Sequence, residues 1–186
     1  NVRNAYGKKV TTRTPHEAPV SMCDMRMGIT VAVAEEDGDL AHGDVSGAYT
    51  KAPHRRGKTF ARIPKRHRPH WWNESFYDPV VEVLMALYGE ESADADWQTY
   101  RDEKMQEIGW TKLKASVFTK TYFEKYSHKK VIATIYTDDF LLGGSFDKIW
   151  EAYEEIDAVL GFSPNTKDDE PFIGIRLSPV QRDGQT

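Results

Sequence analysis

The sequence predicts an α+β fold, an antiparallel sheet with helices packed on one face. Three observations carry this. A β-rich run from Val131 to Tyr136, the polar Thr137-Asp138-Asp139 and a second apolar run from Phe140 to Leu142 spell a hairpin with two carboxylates at its tip. Directly after it, Ser145 stands as a cap before Phe146, Ile149, Trp150, Tyr153, Ile156, Val159 and Leu160, a helical stripe that Gly161 closes. Elsewhere strands and helices alternate without the regularity of a doubly wound sheet.

Taken in order, residues 1–18 are polar and aperiodic and read as loop or extended chain. Residues 19–35 admit two readings. Met27, Ile29, Val31 and Val33 alternate like a strand, whereas the length and the Ala- and Met-rich composition suit a helix. Asp37-Gly38 marks a turn, and a short strand follows from Leu40 to Asp44. A second strand runs from Thr59 to Ile63 and stops at Pro64. Pro69 to Pro79 reads as a loop carrying Trp71, Trp72, Phe76 and Tyr77. Ala95 to Ile108 reads as a helix with Trp97, Tyr100, Met105 and Ile108 on one face and Gly109 as its stop. Val117, Thr119, Thr121 and Phe123 alternate as a strand, and Phe172 to Leu177 reads as a last one.

Length and composition bound the rest. The 186 residues suit one domain, and 39% hydrophobic residues are enough for one core. No apolar run approaches the roughly 20 residues that span a bilayer, so no membrane partner is expected. The chain begins with Asn and lacks a signal-peptide pattern, as a fragment or processed product of a longer polyprotein would. The one cysteine, Cys23, has no internal partner, which points to a reducing, intracellular compartment, cytoplasmic or nuclear. Net charge is −4, but its distribution is uneven. Residues 51–70 hold no acid, and they carry Lys51, Arg55, Arg56, Lys58, Arg62, Lys65, Arg66 and Arg68. Such a run is either a solvated basic loop or a strip that contacts phosphates. The neighbouring aromatics, Trp71, Trp72, Phe76 and Tyr77, are expected to pack their loop, with stacking on bases as the other reading.

The hairpin tip carries the chemistry. Two adjacent aspartates in a tight turn repel each other, and Asn-Gly or Asp-Gly makes an easier turn. A bound cation removes the repulsion.

Asp44-Val45-Ser46-Gly47-Ala48-Tyr49, a strand-terminal Asp followed five residues later by an aromatic, resembles the first polymerase motif of reverse transcriptases, and Tyr136-Thr137-Asp138-Asp139 resembles their aromatic-x-Asp-Asp box. Ala18-Pro19-Val20, Ala86-Leu87-Tyr88-Gly89, Trp97 and Phe172-Ile173-Gly174-Ile175 are similar to segments of the copia-type retrotransposon enzymes, in the same order and at similar intervals. The resemblance spans nearly the whole chain. It implies a ferredoxin-like polymerase palm with partial fingers and no thumb. The implied activity is RNA-directed DNA polymerisation, with an RNA or DNA template-primer and a dNTP as partners. Thumb and RNase H regions of the polyprotein would complete the assembly. Two Mg²⁺ or Mn²⁺ ions would act on Asp44, Asp138, Asp139 and the Val45 carbonyl. Tyr49 takes the position of the aromatic that rejects a ribose 2′-hydroxyl. Ser92 takes that of a nucleotide-placing Gln, and Arg55, Arg56, Lys58, Arg62, Lys65, Arg66 and Arg68 would contact nucleic acid.

The chain also departs from the family. Where family members carry Leu-Lys-Gln and then Pro and Arg before the Trp, it has Glu90, Glu91, Ser92, Asp94 and Ala95. The shorter Ser replaces the Gln, and an acid replaces the Lys. Of the basic fingers segment, only Arg3, Lys8, Lys9 and Arg13 stand nearby as substitutes. An alternative function follows, a non-catalytic retroelement-derived domain that binds or scaffolds within a larger assembly. Leu142-Gly143-Gly144 superficially resembles the glycine pair of nucleotide cyclases, but here it follows the acids instead of preceding them.

Overall fold

The computed structural model describes residues 20–164 and Phe172. The expected loop over 1–18, the substitutes Arg3, Lys8, Lys9 and Arg13, and the last strand beyond Phe172 lie outside the described residues. The chain gathers into two compact units. One is centred on Gly47–Tyr100, and the other joins the described chain up to Ser46 to the chain from Arg101 onward.

The larger unit is built on a five-stranded antiparallel sheet in the order β1-β7-β6-β5-β4. Its strands are β1 (Gly38–Asp44), β4 (Thr111–Lys114), β5 (Val117–Phe123), β6 (His128–Tyr136) and β7 (Asp139–Ser145). The antiparallel sheet backed by helices is thus as expected. The edge strand β4 was not foreseen, because its alternation is short and broken by a register shift between Lys112 and Lys114.

Helix α1 (Met22–Ala34) resolves the ambiguity over residues 19–35. Ser21 caps it reciprocally. The Asp24 N–H donates to Ser21 Oγ at 3.2 Å, and the Ser21 N–H donates to the Asp24 carboxylate at 3.1 Å. Lys114 adds an ion pair to Asp24, which holds that carboxyl below the usual carboxylate range. Met25, Gly28 and Ala32 are buried, a spacing of three and four, so the helical period prevails over the alternation of Met27, Ile29, Val31 and Val33.

The helices cover both faces of the sheet, not one. In α1, Gly28 lies on Gly143 and Thr134; a Cβ on Gly143 would come within 2.3 Å of the Gly28 carbonyl oxygen. On the opposite face, α5 (Phe146–Leu160) packs through Ile149, Ala152, Ile156 and Leu160, and Glu155 accepts hydrogen bonds from Lys120 and Tyr122 of β5. Just after α5, the Phe162 ring lies against Gly43 and 5.4 Å from the ring of Phe140. Residues 43 and 140 point opposite to 141 and 143 in the pleat. Consecutive burial of Val131–Ile135 and of Phe140–Ser145 is the physical sign of strands covered twice, and both stretches are apolar without alternation. Phe146 and Trp150, counted in the stripe of α5, remain substantially exposed.

The smaller unit holds α2 (Ala48–Lys51), a two-stranded antiparallel sheet of β2 (Thr59–Arg62) and β3 (Val80–Val83), and α3 (His70–Ser75) between them. Helix α4 (Ala93–Glu107) contributes its first half here, and Gly109, at φ +86°, follows its end as expected. The segment read as a loop over Pro69–Pro79 contains α3, which starts after Pro69, a residue well suited to the start of a helix.

Candidate active site

The larger unit brings the three aspartates to one end of its sheet. Asp44, the last residue of β1, is the cross-strand partner of Asp139, the first residue of β7. Asp139 also faces Tyr136 across the hairpin, so the tight turn is Thr137-Asp138. The Val45 N–H donates to the Asp138 carbonyl at 2.9 Å, which carries the β1 ladder one residue past Asp44. Val45 bridges Phe162, and the Ser163 N–H donates to the Asp44 carbonyl at 2.7 Å. The C-terminal end of β1 is thereby fixed from both sides.

The turn has an unfavourable backbone. Thr137 sits at φ +56°, left-handed and uncommon for a β-branched residue. Strain of this kind costs of order 1–3 kcal/mol and concentrates at functional sites. The carboxylates add electrostatic cost. Burial pushes the Asp138 carboxyl above the usual carboxylate range; the charges of Asp44 and Asp139 push it the same way, and a backbone hydrogen bond opposes them.

Each flanking carboxylate engages a protein partner through one oxygen. Asp44 Oδ2 accepts from Ser163 Oγ at 3.0 Å. Asp139 Oδ1 lies 3.3 Å from His42 Nε2. His42 is two residues before Asp44 and on the same face of β1. Its ring meets Phe172 edge-on at 5.8 Å, and its buried Nδ1 has no hydrogen-bond partner among the described residues. The donor set fits a hard divalent cation, since all three side chains offer carboxylate oxygens and a cation relieves their repulsion. Among the described residues, however, no group of three His, Cys, Asp or Glu side chains is gathered around one point as metal ligands. Asp44 and Asp139 are turned instead toward Ser163 and His42.

The expected nucleotide-side residues belong to the smaller unit. Tyr49, in α2, donates its hydroxyl to Asp94 and meets Tyr88 edge-to-face at 4.7 Å. Ser92 is buried, and its Oγ donates to Asp96 Oδ2 at 3.3 Å. That same oxygen is 3.6 Å from Nδ1 of the buried His54, whose Nδ1 is also 3.3 Å from Glu90 and whose Nε2 is 2.7 Å from Thr59 Oγ1. Of the acids that set this segment apart from the copia pattern, Glu90 and Asp94 therefore have internal partners, as does the neighbouring Asp96, while Glu91 is exposed.

The basic residues divide. Arg55, Arg56, Lys58, Lys65 and Arg66 are exposed. Arg62, on the outer side of β2, pairs with Asp78 at 3.0 Å. Arg68 is buried to 4% side-chain exposure; its Nε donates to the Ile63 carbonyl at 2.6 Å, and it pairs with Asp78 at 3.4 Å. Arg68 is thus a structural strut. Sequence reasoning missed His42 and Ser163. His42 was legible as a same-face neighbour of a strand-terminal Asp, whereas Ser163 reaches Asp44 only through the tertiary fold. No helix among the described residues is long and apolar enough to cross a membrane. Compared with protein-family models, curated proteins and solved structures, the chain matches none.

Proposed function

We propose that this chain is the palm of an RNA-directed DNA polymerase, a nucleotidyl-transfer core that extends a primer 3′-hydroxyl. The observation that supports it most is the in-register pairing of Asp44 with Asp139, with Asp138 between the strands at the turn. Asp44, Asp138 and Asp139 would hold two divalent ions, Mg²⁺ or Mn²⁺. When bound, such ions activate the attacking hydroxyl and neutralise charge on the leaving pyrophosphate. The chain's own part is positioning. Ser163 and His42 each engage one oxygen of Asp44 and Asp139, which orients the second oxygen of each carboxylate. Tyr49 would pack against the sugar, with its ring set by Asp94 and Tyr88. Arg55, Arg56, Lys58, Lys65 and Arg66 would meet the phosphates of the template-primer. Ser92, buried under Asp96, would support the segment without touching the nucleotide.

A second function, a non-catalytic domain kept for binding, draws on one observation: Asp44 and Asp139 already have protein partners and form no closed ligand set among the described residues. Single-nucleotide extension of a primer on an RNA template with Mg²⁺ or Mn²⁺ separates the two. The polymerase reading expects extension by this chain and none by Asp138→Asn. A folded sample that binds primer-template yet never extends it supports the binding domain instead.

A further inference from the structure

The smaller unit carries a surface that the metal chemistry does not use. Trp71 and Phe76, on and after α3, are 57% and 50% exposed, and Tyr77 is fully exposed. Trp71 leans on Trp72 at 5.9 Å and on Phe76 at 6.0 Å, so these three rings form a cluster in which Trp71 and Phe76 stay exposed, with Tyr77 next to it in the chain. This differs from the expectation that they pack their loop; among them only Trp72 is half-buried. The outer face of the β2–β3 sheet continues the pattern, since Phe60 and Arg62 lie on its exposed side opposite Glu82 and Val80.

The aromatics are fastened to the basic segment. Asp78 follows Tyr77 directly and divides its carboxylate oxygens between Arg62 and Arg68. Arg68 is buried and bonded to the Ile63 carbonyl, so this junction is built into the fold and is not a chance surface pair. The loop that presents Phe76 and Tyr77 is therefore held beside the end of β2 and the turn after it, which expose Arg62, Lys65 and Arg66.

We infer that this surface binds single-stranded nucleic acid, with bases stacked on Trp71, Phe76 and Tyr77 and phosphates held by the adjacent cations. The charge complementarity selects a polyanion. Flat aromatic faces beside cations select one whose bases are unpaired, because a duplex keeps its base faces stacked on each other. The inference extends the polymerase reading to a single-stranded template, and it stands independently of the metal site.

The test is fluorescence anisotropy of a labelled oligo(dT) of about a dozen nucleotides, titrated with this chain. Binding is expected with quenching of tryptophan fluorescence. The logarithm of affinity should fall with that of salt at a slope of about −3, the value for roughly four neutralised phosphates on a single strand. Trp71→Ala and Tyr77→Ala should each weaken binding about tenfold. Both residues are exposed, so circular dichroism should show the fold intact. Lys65→Ala should reduce the slope by about 0.7. Unchanged affinity in both aromatic variants overturns the proposal and leaves only non-specific charge. Equal affinity for a duplex of the same length does so as well. Absence of oligonucleotide binding together with concentration-dependent self-association reassigns the surface to a second copy of the chain. Binding by the parent chain without extension would defeat the polymerase reading alone, and extension without binding to this surface would defeat this inference alone.

Discussion

Asp44 and Asp139 face each other as in-register partners across β1 and β7, two carboxylates where an antiparallel pair ordinarily avoids like charges. Asp138 at the adjoining turn makes a third. Its carboxyl is raised above the usual carboxylate range by burial first and by its two acidic neighbours after that. A folded-state value above the unfolded one means that the folded chain holds the proton more tightly, so Asp138 lowers stability as pH rises through that interval. Asp138→Asn should therefore be more stable than the parent chain at neutral pH without divalent ions. The difference should vanish as pH falls below the ordinary carboxylate range. Urea unfolding at several pH values reads this directly, and a pH-independent difference would contradict it.

Thr137 stores backbone strain beside these charges. Asn tolerates the left-handed region far better than a β-branched residue. Thr137→Asn should stabilise the chain by about 1 kcal/mol in denaturant unfolding, whereas Thr137→Val should give no gain. Equal stability of all three forms would show that the turn carries no strain.

Gly143 explains why a glycine pair follows the acids. An added Cβ there meets the backbone carbonyl of Gly28 at 2.3 Å, and a helix backbone cannot move aside as a flexible side chain does. Gly143→Ala should destabilise the chain by about 2 kcal/mol or more, through displacement of α1 from the sheet. Gly28→Ala should be milder in packing terms, because a Cβ there finds only Thr134 side-chain atoms at 3.6 Å and beyond. Thermal unfolding of the two variants tests the order.

Much of the sheet was legible in the sequence. The hairpin at Tyr136–Asp139, the strand ending at Asp44 and helix α5 announce themselves through β-rich runs, a strand-terminal acid and a clean stripe closed by Gly161. The doubly covered character of β6 and β7 was also written there, in apolar runs without alternation, yet a hairpin with polar residues at its tip invites the assumption of one covered face. Short edge strands such as β3 and β4 carry too few residues for a period to show. The partners of the carboxylates lie further from reach. His42 sits within the motif itself, but Ser163 is brought to Asp44 across more than a hundred residues by α5 and the Val45–Phe162 bridge. Likewise nothing in Glu90, Asp94 and Asp96 as letters tells that they face His54 and Tyr49 rather than solvent.

The most direct test of the carboxylate site is Mn²⁺ binding in the presence of dTTP, followed by the electron paramagnetic resonance of free Mn²⁺. The parent chain should remove Mn²⁺ from solution, and Asp44→Asn and Asp138→Asn should abolish most of that binding. Free Mn²⁺ that stays unchanged by the folded parent chain, or binding that survives both substitutions, would contradict a cation site at Asp44, Asp138 and Asp139.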